Sequence, residues 1–179
     1  GVTGVDAVAA VGAITNGAVT INDNATAASI KTITVDGYGN STIGATNNVN
    51  ALTDLTLKNS ATNAAITLTS TVASLNVTLD NVVGTVDLDG AAATTLKTLN
   101  LTTTGEASDI TLDAAAVETL TIAAAADLDL DNTSTLSALK TVTITGAGDV
   151  TLGDVSATLE TLTASAATGD ISATVDGTK

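Results

Sequence analysis

Cysteine, methionine, tryptophan, phenylalanine, proline and histidine are all missing from the 179 residues, and Tyr38 is the only aromatic. Each absence excludes something. Without cysteine there is no disulfide framework and no thiolate metal site. Without histidine or cysteine there is no His-based triad and no thiol nucleophile. Without large rings a core of ordinary width is hard to fill, since aromatics bury the most area per residue. The expected core is therefore narrow and uniform, built from Ala, Val, Leu and Ile. Basic residues are scarce too: five Lys and Arg stand against nineteen Asp and Glu, a formal charge of −14. That argues against nucleic acid and against anionic membrane surfaces, and is compatible with divalent cations or with solubility alone. No run of about eighteen apolar residues is present, so no membrane insertion is expected. Gly1-Val2-Thr3 carries no basic start of a signal peptide, and with no Met anywhere the chain reads as a processed form or a fragment.

What is abundant is Thr, Ala, Asp and Asn, in a repeat. The template is apolar, x, x, apolar, x, apolar, seen in Leu96 to Leu101, Val117 to Ile122, Leu139 to Ile144 and Leu159 to Ala164. Ile30 to Val35, Leu52 to Leu57 and Val72 to Val77 fit the same pattern, so the seven copies begin at 30, 52, 72, 96, 117, 139 and 159. A second apolar alternation follows each copy, as in Ile66-Thr67-Leu68, Ile110-Thr111-Leu112 and Val150-Thr151-Leu152, with Ile43 and Ile171 marking weaker copies. Val19-Thr20-Ile21 reads as the second strand of a partial coil ahead of the first full one.

Alternation of period two means half-buried strands, and strands this short cannot bury an apolar face alone. Stacking equivalent strands at about 4.8 Å makes parallel sheets with apolar columns inside, about 34 Å long for seven coils. One column is expected to hold Leu99, Leu120, Val142 and Leu162, the next Leu101, Ile122, Ile144 and Ala164. The predicted fold is all-β: a single parallel β-helix (β-solenoid) over residues 1–179, with about seven coils of 20–24 residues. Crossover chirality favours a right-handed coil. A leucine-rich repeat shares the apolar template and the period. Its Asn or Cys ladder is absent, and the Thr-rich return is too short for a regular helix.

Four features qualify as candidate sites. Asp109, Asp127, Asp149 and Asp170 each precede a second strand, and Asp113, Asp131 and Asp154 follow one. Stacking would align them into columns of like charge that suit calcium, or leave them as solvated turn residues. Asp36 to Ile43 is like a glycine-rich calcium-binding nonapeptide in which Asp36 replaces the first Gly and Ser41 the ligand Asp; a plain Gly-rich turn is the other reading. The pairs Thr32/Thr34, Thr119/Thr121, Thr141/Thr143 and Thr161/Thr163 would form two outward ranks resembling the ice-binding face of β-helical antifreeze proteins. Thr is also a common filler of exposed strand positions. Lys97, Glu118, Lys140 and Glu160 hold one template position with alternating sign, which fits a register device. None of these builds a catalytic cleft, so no enzyme activity is expected.

The acidic, Cys-free coils such as Leu139 to Val150 and Leu159 to Ile171 resemble the repetitive β-solenoid regions of bacterial surface-layer proteins. The RTX-linked, type I-secreted kind is closest in texture, and large repetitive adhesins share it. The resemblance implies a structural component of an extracellular cell-surface layer that self-assembles into a homo-oligomeric lattice or filament. It implies calcium as a cofactor, and cell-surface polysaccharide as a partner. On this reading the chain is a piece of a longer secreted surface protein. No cap is legible at either end, although Val8, Val11 and Ile14 could make a short helical turn.

Overall fold

The computed structural model describes residues 16–24, 28–46, 49–90, 95–130, 134–155 and 157–175. The first copy of the template forms β2 (Thr32–Asp36), preceded by the half-coil strand β1 (Thr20–Ile21) and followed by β3 (Ser41–Ile43). The next two coils are β4 (Asp54–Lys58) with β5 (Ala64–Leu68), and β6 (Ser74–Asp80) with β7 (Val83–Asp87). Then come β8 (Thr98–Thr103) with β9 (Ser108–Asp113), and β10 (Thr119–Ala124) with β11 (Leu128–Asp129). The last two are β12 (Thr141–Gly146) with β13 (Val150–Val155), and β14 (Thr161–Ala167) with β15 (Ile171–Val175).

All pairings between named strands are parallel, and no helix forms among the described residues. The odd strands make an eight-stranded sheet in the order β1-β3-β5-β7-β9-β11-β13-β15, and the even ones a seven-stranded sheet from β14 down to β2. This is the stacked β-solenoid that the repeat predicts, with six turns from the first long strand to the last. Among the described residues, three of the short returns contain a tight turn. Leu52, Val117 and Leu139 each donate a backbone N–H to the carbonyl three residues earlier, of Val49, Ala114 and Leu136. Both ends of each such turn are buried, so the returns close the third side of the core.

Strand alternation puts one set of side chains inward. Leu75, Leu99, Leu120, Val142 and Leu162 form one column, and Val77, Leu101, Ile122 and Ile144 the next. The expected partner of Ile144 was Ala164. Instead the pairing slips between Thr143↔Thr163 and Thr145↔Ala166, a bulge in the edge strand that gives β14 one residue more than its neighbour.

A second difference lies lower in the stack. The template aligns Leu55 with Leu75, but Leu55 pairs with Val77. A slip of two residues keeps the same face inward, because the side-chain period of a strand is two. It also sets Lys58 against Asp80, with Nζ to Oδ2 at 3.0 Å, and Asp54 against Asn76, whose Nδ2 donates at 2.9 Å. Apolar patterning is indifferent between the two registers, and these polar pairs distinguish them.

The single ring is fully buried, contrary to the expectation of a core without room for one. Tyr38 sits in the first full coil at an isolated bridge to Gly17, where neither Gly17 nor Gly39 contributes a side chain. Burial pushes its phenol far above the ordinary value. Gly1 to Ile14 and Asp131 lie outside the described residues, as does the side chain of Asp154.

Candidate functional site: two faces of opposite chemistry

The core takes every inward position, so the chemistry available to a partner is carried by the outward faces of the two sheets. Outward residues of the seven-stranded sheet fall into three long files, beside a short charged one of Asp36, Lys58 and Asp80 confined to β2, β4 and β6. One runs Ser74, Thr98, Thr119, Thr141, Thr161. The second runs Thr32, Asp54, Asn76, Asn100, Thr121, Thr143, Thr163. The third runs Thr34, Thr56, Thr78, Thr102, Ala123, Thr145, Ala166.

The expected two threonine ranks are therefore corrected. Thr32 shares a file with Thr121, Thr143 and Thr163, and Thr34 lies in the next file over. The two-residue slip at Leu55↔Val77 is the cause. From β8 to β14 the strand positions of these files hold only Thr, Asn and Ala, without a charge.

Amide ladders stiffen the lower half of this sheet. Asn76 Nδ2 donates to Asp54 Oδ1 and Asn100 Nδ2 to Asn76 Oδ1, both at 2.9 Å. A parallel ladder runs along the corner beyond the strands, where Asn59 Nδ2 donates to Asp36 Oδ1 at 2.8 Å and Asn81 Nδ2 to Asn59 Oδ1 at 3.0 Å. Each ladder ends on a carboxylate, the strongest acceptor available, and successive amide bonds polarise one another. The sequence shows the signal, Asp or Asn recurring at coil spacing, but the apolar template does not direct attention to it.

At the opposite corner the charged template position behaves as expected. Glu118 bridges two coils at once, to Lys97 at 3.2 Å and to Lys140 at 2.7 Å. Hydrogen bonds from Lys140 and then Lys97 hold the Glu118 carboxyl below its usual range, and Glu118 in turn raises Lys140. Glu160 continues the file above Lys140, its backbone N–H bonded to the Lys140 carbonyl.

The eight-stranded sheet carries an exposed series of aspartates that continues into the last coils. Asp127, Asp149 and Asp170 stand in one exposed file, since Leu128 pairs with Val150 and Val150 with Ile171. The backbone occupies two of the three carboxylates: Asp149 N–H donates to Asp127 Oδ1 at 2.9 Å and Asp170 N–H to Asp149 Oδ1 at 2.8 Å. Asp109 is not in that file. It pairs with Asp129, two residues further along, because β9 aligns Ser108 with Leu128. The residue before the strand thus has a different structural meaning in that coil.

Asp109, Asp127, Asp129 and Asp149 line a shallow depression of about 410 Å³. Among the described residues, no group of three or more acidic side chains is placed to hold a metal ion. On the same sheet Asp87 pairs directly with Asp113. Partial burial, then the nearby charges of Asp87 and Asp89, push the Asp113 carboxyl above its ordinary value.

The segment Asp36 to Ile43 is spent on the fold. Asp36 ends an amide ladder and Tyr38 fills the core. The Ser41 hydroxyl donates to the Gly39 carbonyl and accepts from the Val19 N–H. Beside it a depression of about 480 Å³ is lined by Asn16, Asp36, Asn59 and Asn81 among others. Compared with protein-family models, curated proteins and solved structures, the chain matches none.

Proposed function

We propose that this chain is a non-catalytic structural segment of a secreted bacterial cell-surface layer, assembling with copies of itself. The observation that carries the reading is the uninterrupted stack. Seven coils close on one another through backbone hydrogen bonds, and no connection between consecutive strands exceeds eleven residues. Parallel sheets bonded along one axis make a stiff rod, and short connections leave no loops to wall a deep cleft. The texture of the coils resembles that of surface-layer solenoids, and the contrast between the exposed aspartate file of one sheet and the uncharged threonine files of the last four coils of the other gives the rod distinct sides for lattice contacts. Calcium would act on the acidic side, by screening or bridging carboxylates between neighbouring copies.

The test is direct imaging of the purified protein on a support, with and without calcium. Ordered arrays are expected. Dispersed particles under all conditions would overturn the reading.

One observation favours a second reading, an adhesin segment or ice-binding module: the threonine files of the last four coils carry no charge. Retention on a cell-surface polysaccharide, or inhibition of ice recrystallisation, would support it if Thr143→Lys abolished the effect.

A further inference from the structure

We infer that the threonine face of the last four coils is a two-fold contact between copies of this chain, with the two solenoids antiparallel and the symmetry axis lying along the strands between β10 and β12. The inference deepens the self-assembly reading and rests on it.

Charge decides which face can serve. The eight-stranded sheet presents a series of exposed aspartates, so two such faces repel in a chain of net charge −14. The β8 to β14 stretch of the other sheet presents Thr, Asn and Ala, which can meet their own kind without burying a charge. The corner file then fixes the orientation. It reads Lys97, Glu118, Lys140, Glu160 along the axis, and Lys97, Lys140 and Glu160 are exposed.

A two-fold contact is self-complementary: if one residue faces another, the second faces the first. Turning the copy about an axis along the strands reverses coil order and keeps this corner against itself. Lys97 then faces Glu160 of the second copy, Glu118 faces Lys140, and the reciprocal pairs follow, so all four positions meet opposite charge. A parallel arrangement about the solenoid axis lacks this match, because it carries the corner to the far border of the partner's face.

Four coils at about 4.8 Å and a strand width of about 20 Å give roughly 400 Å² per copy. The total of about 800 Å² belongs with weak contacts, which suits a lattice where many such contacts act together.

The test uses the whole chain and a charge-inverted variant, Lys97→Glu/Glu118→Lys/Lys140→Glu/Glu160→Lys. The variant keeps the alternation within one solenoid and keeps self-complementarity. Mixed pairs of wild type and variant, however, bring like charges together at all four positions. Sedimentation at high protein concentration should show both proteins dimerising, with association weakening as salt rises. Thr121→Glu should weaken it by at least about tenfold with an unchanged circular dichroism spectrum. Donor- and acceptor-labelled chains, each labelled through Ser172→Cys, should transfer energy within wild type and within the variant but not between them.

Free mixing of the two, association insensitive to Thr121→Glu, or a monomer at every concentration would each overturn the proposal. Arrays that still form with Thr121→Glu would defeat this contact while leaving the surface-layer reading standing. Absence of arrays from wild type alongside a salt-sensitive, non-mixing dimer would do the reverse.

Discussion

Leu120 and Leu162 occupy the same inward column with different surroundings. Leu120 is fully enclosed between Leu99 and Val142, whereas Leu162, on the last long strand, is 38% exposed. Leu120→Ala is expected to cost about 2–5 kcal/mol through the cavity it leaves. Leu162→Ala should lose about 1 kcal/mol, and the outward Thr121→Ser should be nearly silent. Chemical denaturation of the three variants checks the order; equal losses would contradict the column.

Two carboxyls give opposite pH signatures. The fold disfavours the charge of Asp113, so that charge destabilises near neutrality and the penalty disappears as the group is protonated. Asp113→Asn should raise the melting temperature at about pH 7 and leave it unchanged at about pH 2. Glu118, held low by its two lysines, stabilises above its unfolded value, and that contribution is lost as pH falls through its lower folded value. Glu118→Gln should therefore lower the melting temperature near neutrality and have no effect at about pH 2.

At the scale of strands and turns, the apolar template predicts which strands form and which way they face. Leu99, Leu120 and Val142 line up as their spacing requires. It does not predict the register between β4 and β6, because Leu75, Val77 and Leu79 offer equivalent inward sets two residues apart. Lys58–Asp80 and Asp54–Asn76 resolve that ambiguity, and such polar pairs are visible only once the strands are side by side. The misplacement of Thr32 and Asp109 has the same origin: a change of two residues between coils moves an outward side chain into the neighbouring file.

The amide ladder is testable by Asn76→Asp, which removes the donor to Asp54 and sets two carboxylates face to face. A lower melting temperature near neutrality, recovering in acid, is expected. A pH-independent effect would mean that the ladder does not contribute in this way. Turn chemistry adds its own requirement at Gly146, where φ is 104° and a Cβ would collide with the Ala124 carbonyl oxygen. The chain there is too close to the coil below for any side chain.

At the scale of the whole molecule, the solenoid turns a monotonous composition into two unlike surfaces, which no single repeat reveals. In the aspartate file of the acidic face, the Asp127 and Asp149 carboxylates accept from the backbone of the next coil. On that account millimolar calcium should raise the melting temperature no more than equal magnesium does. A calcium-specific rise, by contrast, would mark the depression lined by Asp109, Asp127 and Asp129 as a binding site.

The central claim is the continuous stack itself, and spin-label distances along one outward file test it most directly. With one label at Thr145 and the other at Thr102, Thr78, Thr56 or Thr34 in turn, the separation should grow by about 4.8 Å per coil. It should reach only about 24 Å for the pair most distant in sequence. Distances that fail to rise coil by coil, or that spread broadly for the distant pairs, would contradict the solenoid.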